Sequence, residues 1–172
     1  VKIAGSYALD LMLRPDIDLF VVVEKHNWDK VLDVQSRIIK TKYFRELYFM
    51  DWVNFENKQT GNTEEWIPEI RGYYFAAVVP RGDERWKVDI WLITSEYDRS
   101  AELTDRFKGL LDGAGESRKL AVLEIKNAMR HGRKYIKGVD GKLIYKAVLE
   151  SGVSTPEEFE KLKPAMQDHD IV

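Results

Sequence analysis

Cysteine is absent from the 172 residues of this chain. Neither a disulfide framework nor a thiolate zinc site is therefore possible, which fits a cytoplasmic protein. Long apolar runs are absent as well, since none approaches the roughly 20 residues that a membrane-spanning helix needs. No apolar leader of the secretory type is present either. We therefore expect neither a membrane partner nor export.

A surplus of charge of one sign is also missing. The chain carries 27 Lys and Arg against 29 Asp and Glu, which gives a formal net charge of −2. A domain that grips nucleic acid along a long footprint is usually basic, so the overall charge gives no support to that partner, although local basic patches stay open. Apolar residues make up 44% and charged residues 33%, which is a globular balance.

The first half of the chain has the pattern of a mixed β-sheet. A helical period occurs over 27–42, and a polar stretch over 57–65 marks a loop. The run 16–23 is apolar on both faces, which predicts a strand covered on both sides. The short apolar stretch 7–13 is compatible with one or two helical turns. Strands are predicted over 1–4, 16–23, 47–55, 72–79 and 86–93.

The second half is helical. One apolar stripe contains Leu103, Phe107, Leu110 and Leu111, and a second contains Val122, Ile125, Met129 and Ile136. The second stripe predicts a helix that ends near Gly138. A shorter helix is predicted over 143–149, and Thr155-Pro156-Glu157-Glu158 has the pattern of a capping box that starts a last helix. We predict an α+β (α/β) fold, in which a mixed sheet flanked by helices (1–95) precedes a helical C-terminal region (96–172).

Three aspartates occupy positions where the negative charge of a carboxylate is unfavourable unless a cation or hydrogen-bond donors accompany it. Asp89 lies inside the otherwise apolar strand segment 88–92, and a buried carboxylate is costly unless a cation or several donors accompany it. Asp16 and Asp18 are two residues apart on a strand, so they project from the same face. If the two strands are neighbours, three carboxylates converge and repel one another unless a cation neutralises them. Hard oxygen ligands without His or Cys suit Mg²⁺ or Mn²⁺.

Gly5 and Ser6 supply the complementary half of a phosphate site. They follow the first strand and precede the short helical stretch. Glycine lets the backbone approach a ligand closely, and the N–H groups at the start of a helix favour an anion. A phosphate chain between Gly5-Ser6 and metal held by the three aspartates fits phosphoryl or nucleotidyl transfer. Two metal ions about 3.5–4 Å apart would activate the attacking oxygen and steady the leaving pyrophosphate.

Together these residues resemble the DNA polymerase beta-like nucleotidyltransferase superfamily. The family pattern is a strand that ends in Gly-Ser, then Asp-x-Asp at the head of an apolar strand, then a later strand with a central Asp. It reads here Ile3-Ala4-Gly5-Ser6, Asp16-Ile17-Asp18-Leu19-Phe20 and Val88-Asp89-Ile90, so the resemblance covers residues 1–93. Each part alone is common, and the ordered combination is what makes the pattern specific.

The resemblance implies a function and a role for each residue. The enzyme would move a nucleoside monophosphate from an NTP, such as ATP, to an acceptor hydroxyl and release pyrophosphate. Asp16 and Asp18 would bind the metal ions, and Asp89 would complete the metal site, orient the acceptor and act as candidate general base. Gly5 and Ser6 would hold the triphosphate. The acceptor stays open among small molecules, proteins and RNA. Family members usually have a helix before the first strand, so we expect an N-terminal element ahead of Val1.

Simpler explanations exist for each feature. Asp16 fits a turn and Asp18 a charge at a strand edge, although neither explains Asp89. Asp89 could form a structural salt bridge with a basic neighbour: Arg71, Arg81, Arg85 or Lys87. The basic positions Lys126, Arg130, His131, Arg133, Lys134 and Lys137 fit a solvated helix face better than a nucleic-acid contact. The aromatics Trp52, Tyr73, Tyr74, Trp86 and Trp91 fit core or sheet-face positions, although one could stack on a base.

Two other functions remain as alternatives. A catalytically silent relative would keep the fold, bind metal weakly and serve as a binding or regulatory module. A glycosyltransferase also uses Asp-x-Asp with Mn²⁺ and a nucleotide sugar. It needs neither Gly-Ser on the preceding strand nor a third Asp strand, and the chain is short for that class.

Overall fold

The computed structural model describes residues 1–54, 71–97, 99–131, 134–135 and 139–169. The chain divides into two compact units. The first contains Val1–Tyr7 and Arg14–Glu102, and the second contains Ala8–Leu13 and Leu103–Val172. The predicted domain division after residue 95 stays a prediction, and the loop predicted over 57–65 lies outside the described residues.

The first unit is built on a mixed five-stranded sheet, which together with the six helices described below confirms the predicted α+β fold. Its elements are β1 (Lys2–Ala4), α1 (Gly5–Ala8), β2 (Asp16–Val22), α2 (Trp28–Thr41), β3 (Glu46–Asp51), β4 (Gly72–Arg81) and β5 (Glu84–Ile93), followed by a 3₁₀ turn at Ser95–Tyr97. The strands follow the order β1-β2-β5-β4-β3, with β2 and β5 parallel and the other pairs antiparallel. Helix α1 consists of a single turn and ends before the helical stretch predicted over 7–13 does.

One face of this sheet packs against α2. Asn27 caps the helix by accepting a hydrogen bond from the Asp29 N–H at 2.7 Å, and Lys42 ends it in the left-handed conformation. The apolar side of α2 buries Val31 against a cluster that includes Phe75 and Leu92. Covering this face with a helix leaves the opposite face, with its own smaller cluster around Phe20, to present the polar side chains of β2 and β5.

Strand β2 is covered less completely than the sequence predicts. Phe20 is buried, but Val22 is 40% exposed and the remaining residues of the strand are half-buried. Apolar clusters lie on both faces of β2, one containing Phe20 and the other containing Val21. The predicted cover on both sides is therefore present but incomplete, because the polar residues Asp16 and Asp18 occupy one face at the beginning of the strand and Val22 is exposed near its end.

The second unit is helical and contains α3 (Arg99–Ala114) from Leu103 onward, α4 (Glu116–Ala128), α5 (Gly141–Leu149) and α6 (Pro156–His169), with short antiparallel strands β6 (Arg130–His131) and β7 (Lys134–Tyr135). Its core buries side chains of all four helices together with Leu9 and Leu11. The predicted capping box is present, because the Thr155 hydroxyl accepts from the Glu158 N–H at 3.2 Å and the Glu158 carboxylate accepts from the Thr155 N–H. The Glu158 carboxylate also accepts from the Ser154 N–H at 2.8 Å.

The predicted continuation of α4 to Gly138 is wrong. The helix ends at Ala128, and the chain turns into the β6–β7 pair, in which Arg130 lies opposite Tyr135. Gly132 stands between the two strands in the sequence, and glycine lowers the stability of a helix interior. Ile136, the last residue of the predicted stripe, lies outside the described residues.

The assignment of Lys126 to a solvated helix face is also wrong. This side chain is 3% exposed, and its Nζ donates to the Leu11 carbonyl at 2.5 Å and to the Tyr145 hydroxyl at 3.2 Å. A buried ammonium requires such acceptors, because an unpaired charge in a core is strongly destabilising. Lys126 thus fastens the segment 8–13 to α4 and α5.

Within the described part of the chain, no helix combines the length and apolarity that crossing a bilayer requires. The cytoplasmic location stays a prediction.

Candidate active site

The sheet brings the predicted aspartates to one face. Asp18 and Asp89 are register partners on the parallel strands β2 and β5, and Asp16 is the register partner of Lys87. Paired residues of neighbouring strands project from the same side, as do residues two apart on one strand. Asp16, Asp18, Lys87 and Asp89 therefore share the face opposite α2. The condition set by the sequence, that these two strands are neighbours, is therefore met.

Gly5 joins this group through the end of β1. Ala4 pairs with Asp18, so the backbone of Gly5 follows directly beside that carboxylate. Gly5 has a φ of 67°, and a Cβ built on it would lie 2.1 Å from Asp18 Oδ2. Both facts favour glycine at this position, because other L-residues disfavour this φ and a Cβ would force the Asp18 carboxylate to move. Gly5 and Ser6 are both half-buried.

Asp89 is the most buried of the three carboxylates, with 8% of its surface exposed. Its two oxygens have separate partners. The Tyr74 hydroxyl donates to Oδ1 at 2.9 Å, and Lys87 Nζ donates to Oδ2 at 2.5 Å. The salt bridge considered from the sequence is thus formed by Lys87. These two donors offset the cost of burying the Asp89 carboxylate, which the sequence pattern predicted.

The electrostatic field of all three aspartates acts on these two donors. Burial, and then the charge and hydrogen bond of Asp89 with smaller contributions from Asp16 and Asp18, raise the pKa of Tyr74 far above its usual range. For Lys87, burial by itself lowers the pKa, but the contact with Asp89 and the charges of Asp16 and Asp18 outweigh it, so the pKa is raised. Tyr74 thus stays a protonated donor and Lys87 stays an ammonium at neutral pH.

The donor set fits a divalent cation, but the side-chain arrangement fits it only in part. Three carboxylates on one face offer the oxygen ligands that Mg²⁺ and Mn²⁺ prefer. Among the residues that the structure describes, however, no three acidic or histidine side chains converge closely enough to hold a metal ion. Asp89 Oδ2 is turned toward Lys87 instead. Metal binding at Asp16, Asp18 and Asp89 accordingly remains a proposal.

Aromatic residues border the acidic face. Tyr74 packs on Trp91 with ring centroids 4.7 Å apart, which fixes the hydroxyl that Asp89 accepts from. Trp91 is buried in the cluster around Phe20, and Tyr73 is buried on the opposite face, as expected for core aromatics. Tyr74 was not identified from the sequence as a partner of Asp89. The hairpin register indicates this role, because it places Ala76 opposite Asp89, and Tyr74 lies two residues from Ala76 on the same face of β4.

Comparisons with known proteins bear on the fold alone. No family model matches the chain, and no curated protein matches it by sequence. Among solved structures, the fold is similar to that of a polymerase core. The matching structure is the polymerase core of TRAMP, an RNA surveillance complex, with a TM-score of 0.53 and 15% sequence identity. The match covers 96% of this chain and 49% of the other, so this chain spans about half the length of that polymerase core. The resemblance inferred from the sequence is thereby supported at the level of the fold.

Proposed function

We propose that the chain carries the catalytic core of a nucleotidyltransferase, which moves a nucleoside monophosphate from an NTP to an acceptor hydroxyl. The observation that carries the proposal is the register of Asp18 with Asp89, with the backbone of Gly5 packed against the Asp18 carboxylate. Two carboxylates beside a glycine backbone could bind a divalent cation and a phosphate chain together. The similarity to a polymerase core is in keeping with this chemistry.

In the proposed reaction, the acceptor oxygen attacks the α-phosphorus of the NTP and the bond to the β-phosphate bridging oxygen breaks. Pyrophosphate leaves with that electron pair, and the hydroxyl proton passes to Asp89 or to solvent. Two Mg²⁺ or Mn²⁺ ions bound by Asp16, Asp18 and Asp89 would supply charge neutralisation for the phosphates. The backbone of Gly5 and the hydroxyl of Ser6 would contact the triphosphate, and Tyr74 would keep Asp89 oriented toward the acceptor.

A second candidate is a catalytically silent relative that uses the same fold as a binding module. The observation that favours it is the engagement of both Asp89 oxygens by Tyr74 and Lys87. A carboxylate whose two oxygens already accept hydrogen bonds is less available as a ligand for a metal ion. The two candidates differ in one measurable property, since only the transferase must bind an NTP together with a divalent cation.

Thermal unfolding with each of the four NTPs, with and without Mg²⁺ or Mn²⁺, tests the proposal without knowledge of the acceptor. A ligand at about 100 times its dissociation constant stabilises the fold by roughly 2.7 kcal/mol, which raises the Tm of a chain this size by about 5–10 °C. We expect a metal-dependent rise with at least one NTP, and its loss in Asp16→Asn/Asp18→Asn. Absence of any NTP-dependent shift in the wild-type chain favours the silent module.

A further inference from the structure

Lys87 is a cation built into the acidic face. It is the register partner of Asp16, and it stands two residues before Asp89 on β5. Its Nζ lies 2.5 Å from Asp89 Oδ2. We propose that Lys87 is the resident counter-ion of this face, which holds Asp89 until a divalent cation displaces the ammonium. The inference rests on the proposed function and adds a positioning residue that competes with the metal.

Charge and register explain why a counter-ion is needed here. Asp18 and Asp89 lie directly opposite each other on neighbouring strands, and like charges in this relation destabilise a sheet. Lys87 stands on the same face and places positive charge at this point. A divalent cation that binds the same carboxylates would do the same, so the ammonium and the metal ion compete for one position.

The exposures of the two partners show which of them moves. The Lys87 side chain is 49% exposed, whereas that of Asp89 is 11% exposed. Lysine has a flexible stem, so its ammonium can swing into solvent without a change in the backbone. Asp89 is held through its other oxygen by Tyr74, which is packed on Trp91. Release of Lys87 thus frees Oδ2 alone and leaves the carboxylate oriented.

A counter-ion and a merely structural ion pair differ in the sign of one effect. Removing a structural ion pair weakens the fold and leaves metal affinity unchanged or lower. Removing a competing counter-ion weakens the metal-free fold but increases the affinity for a divalent cation, because the metal no longer has to displace anything. The two quantities move in opposite directions only if Lys87 and the metal compete.

The experiment uses the full chain without nucleotide and compares Lys87→Met, Lys87→Arg and the control Arg85→Met. Arg85 lies on the same strand and pairs with Glu46 at 2.7 Å, so its removal breaks an ion pair away from Asp89. Urea unfolding in EDTA gives the metal-free stability, and calorimetric titration gives the affinity for Mn²⁺. We expect Lys87→Met to lower the urea midpoint and to bind Mn²⁺ at least about fivefold more tightly, in the range of ordinary coupling between ligands. Lys87→Arg and Arg85→Met should bind Mn²⁺ as the wild type does.

A fourth variant, Lys87→Met/Asp18→Asn, separates this inference from the proposed function. If Lys87 is a counter-ion, replacing one of the opposed carboxylates restores the metal-free stability that Lys87→Met loses, even when Lys87→Met alone does not fold. If neither the wild type nor Lys87→Met binds Mn²⁺, the proposed function fails, and this rescue alone decides the role of Lys87. Mn²⁺ affinity that is unchanged or lower in a Lys87→Met protein that binds the ion, or the absence of rescue, overturns the inference.

Discussion

Asp18 and Asp89 lie opposite each other on the parallel strands β2 and β5, although they are far apart in the sequence. This pairing places two carboxylates side by side on a sheet face that α2 does not cover. Their repulsion is unfavourable unless a cation is present, and the structure supplies Lys87. The site therefore has a built-in demand for positive charge, which a metal–nucleotide complex would also satisfy.

The close approach of Gly5 to Asp18 gives the first prediction. Gly5→Ala combines an unfavourable φ, which costs about 1–2 kcal/mol, with a contact that forces the Asp18 carboxylate to move. We expect a loss of stability greater than that of Gly82→Ala, measured by urea unfolding. Gly82 has a similar φ of 61°, but nothing lies within 4 Å of its added Cβ. Equal losses for the two variants would show that the contact with Asp18 is unimportant.

Tyr74→Phe isolates the hydrogen bond to Asp89. The substitution keeps the ring on Trp91 and removes the donor to a buried carboxylate, so we expect destabilisation of about 1.5–3 kcal/mol. The control is Tyr48→Phe, because Tyr48 is 53% exposed and its hydroxyl donates to Glu46 at 3.1 Å. Water can replace a hydrogen bond lost at the surface, so we expect this substitution to lower the free energy of unfolding less than Tyr74→Phe does. Similar effects of the two substitutions would contradict the importance of Asp89 burial.

Lys126 gives a prediction for the helical unit. Lys126→Met removes the donor to the buried Leu11 carbonyl, and an unsatisfied buried acceptor costs about 1–3 kcal/mol. Lys119→Met is the matched control on the same helix, because Lys119 Nζ lies 3.4 Å from the exposed Asp10 carboxylate. Such a surface pair contributes about 0–1 kcal/mol. Comparable denaturant midpoints for the two variants would rule out a fastening role for Lys126.

The capping box at α6 gives a prediction for pH dependence. The backbone N–H of Ser154, and then its hydroxyl, lower the pKa of Glu158 in the folded protein. A lowered folded pKa means that the stabilisation is fully present above the unfolded pKa of about 4.3 and is lost as the pH falls through the folded value. We expect Glu158→Gln to be less stable than the wild type at pH 7, with a difference that shrinks toward pH 3. The stability difference for Glu157→Gln, in the same turn, should vary less with pH; a pH-independent difference for Glu158→Gln would be the contrary result.

Much of the sheet could be predicted from local patterns, because strand runs and turn residues are properties of neighbouring positions. The register of the β4–β5 hairpin could also be deduced, since the turn at Gly82-Asp83 places Arg81 opposite Glu84 and hence Ala76 opposite Asp89. The pairing of β2 with β5 could not be predicted, and the sequence indicates only what would follow if the two strands were neighbours. The pairing depends on packing between distant segments, which no local pattern contains.

The failures of prediction have physical causes of the same kind. Lys126 follows the apolar residues Val122 and Ile125, so a residue-type pattern places it outside the core, whereas the Leu11 carbonyl makes its burial favourable. Helix α4 ends at Ala128 and is followed by the β6–β7 pair, whose cross-strand contacts a helical period does not encode. Lys87 was visible as one of several basic neighbours of Asp89, but only the strand register singles it out.

The most direct test of the central claim is a double-mutant cycle on Asp18 and Asp89, with the affinity for a Mn²⁺–NTP complex measured by calorimetry for Asp18→Asn, Asp89→Asn and the double variant. If the two carboxylates share one metal–nucleotide complex, each single substitution weakens binding strongly, and the double variant loses much less than the sum of the two losses. Additive losses, or single variants that bind as the wild type does, would show that the facing carboxylates do not form a common site.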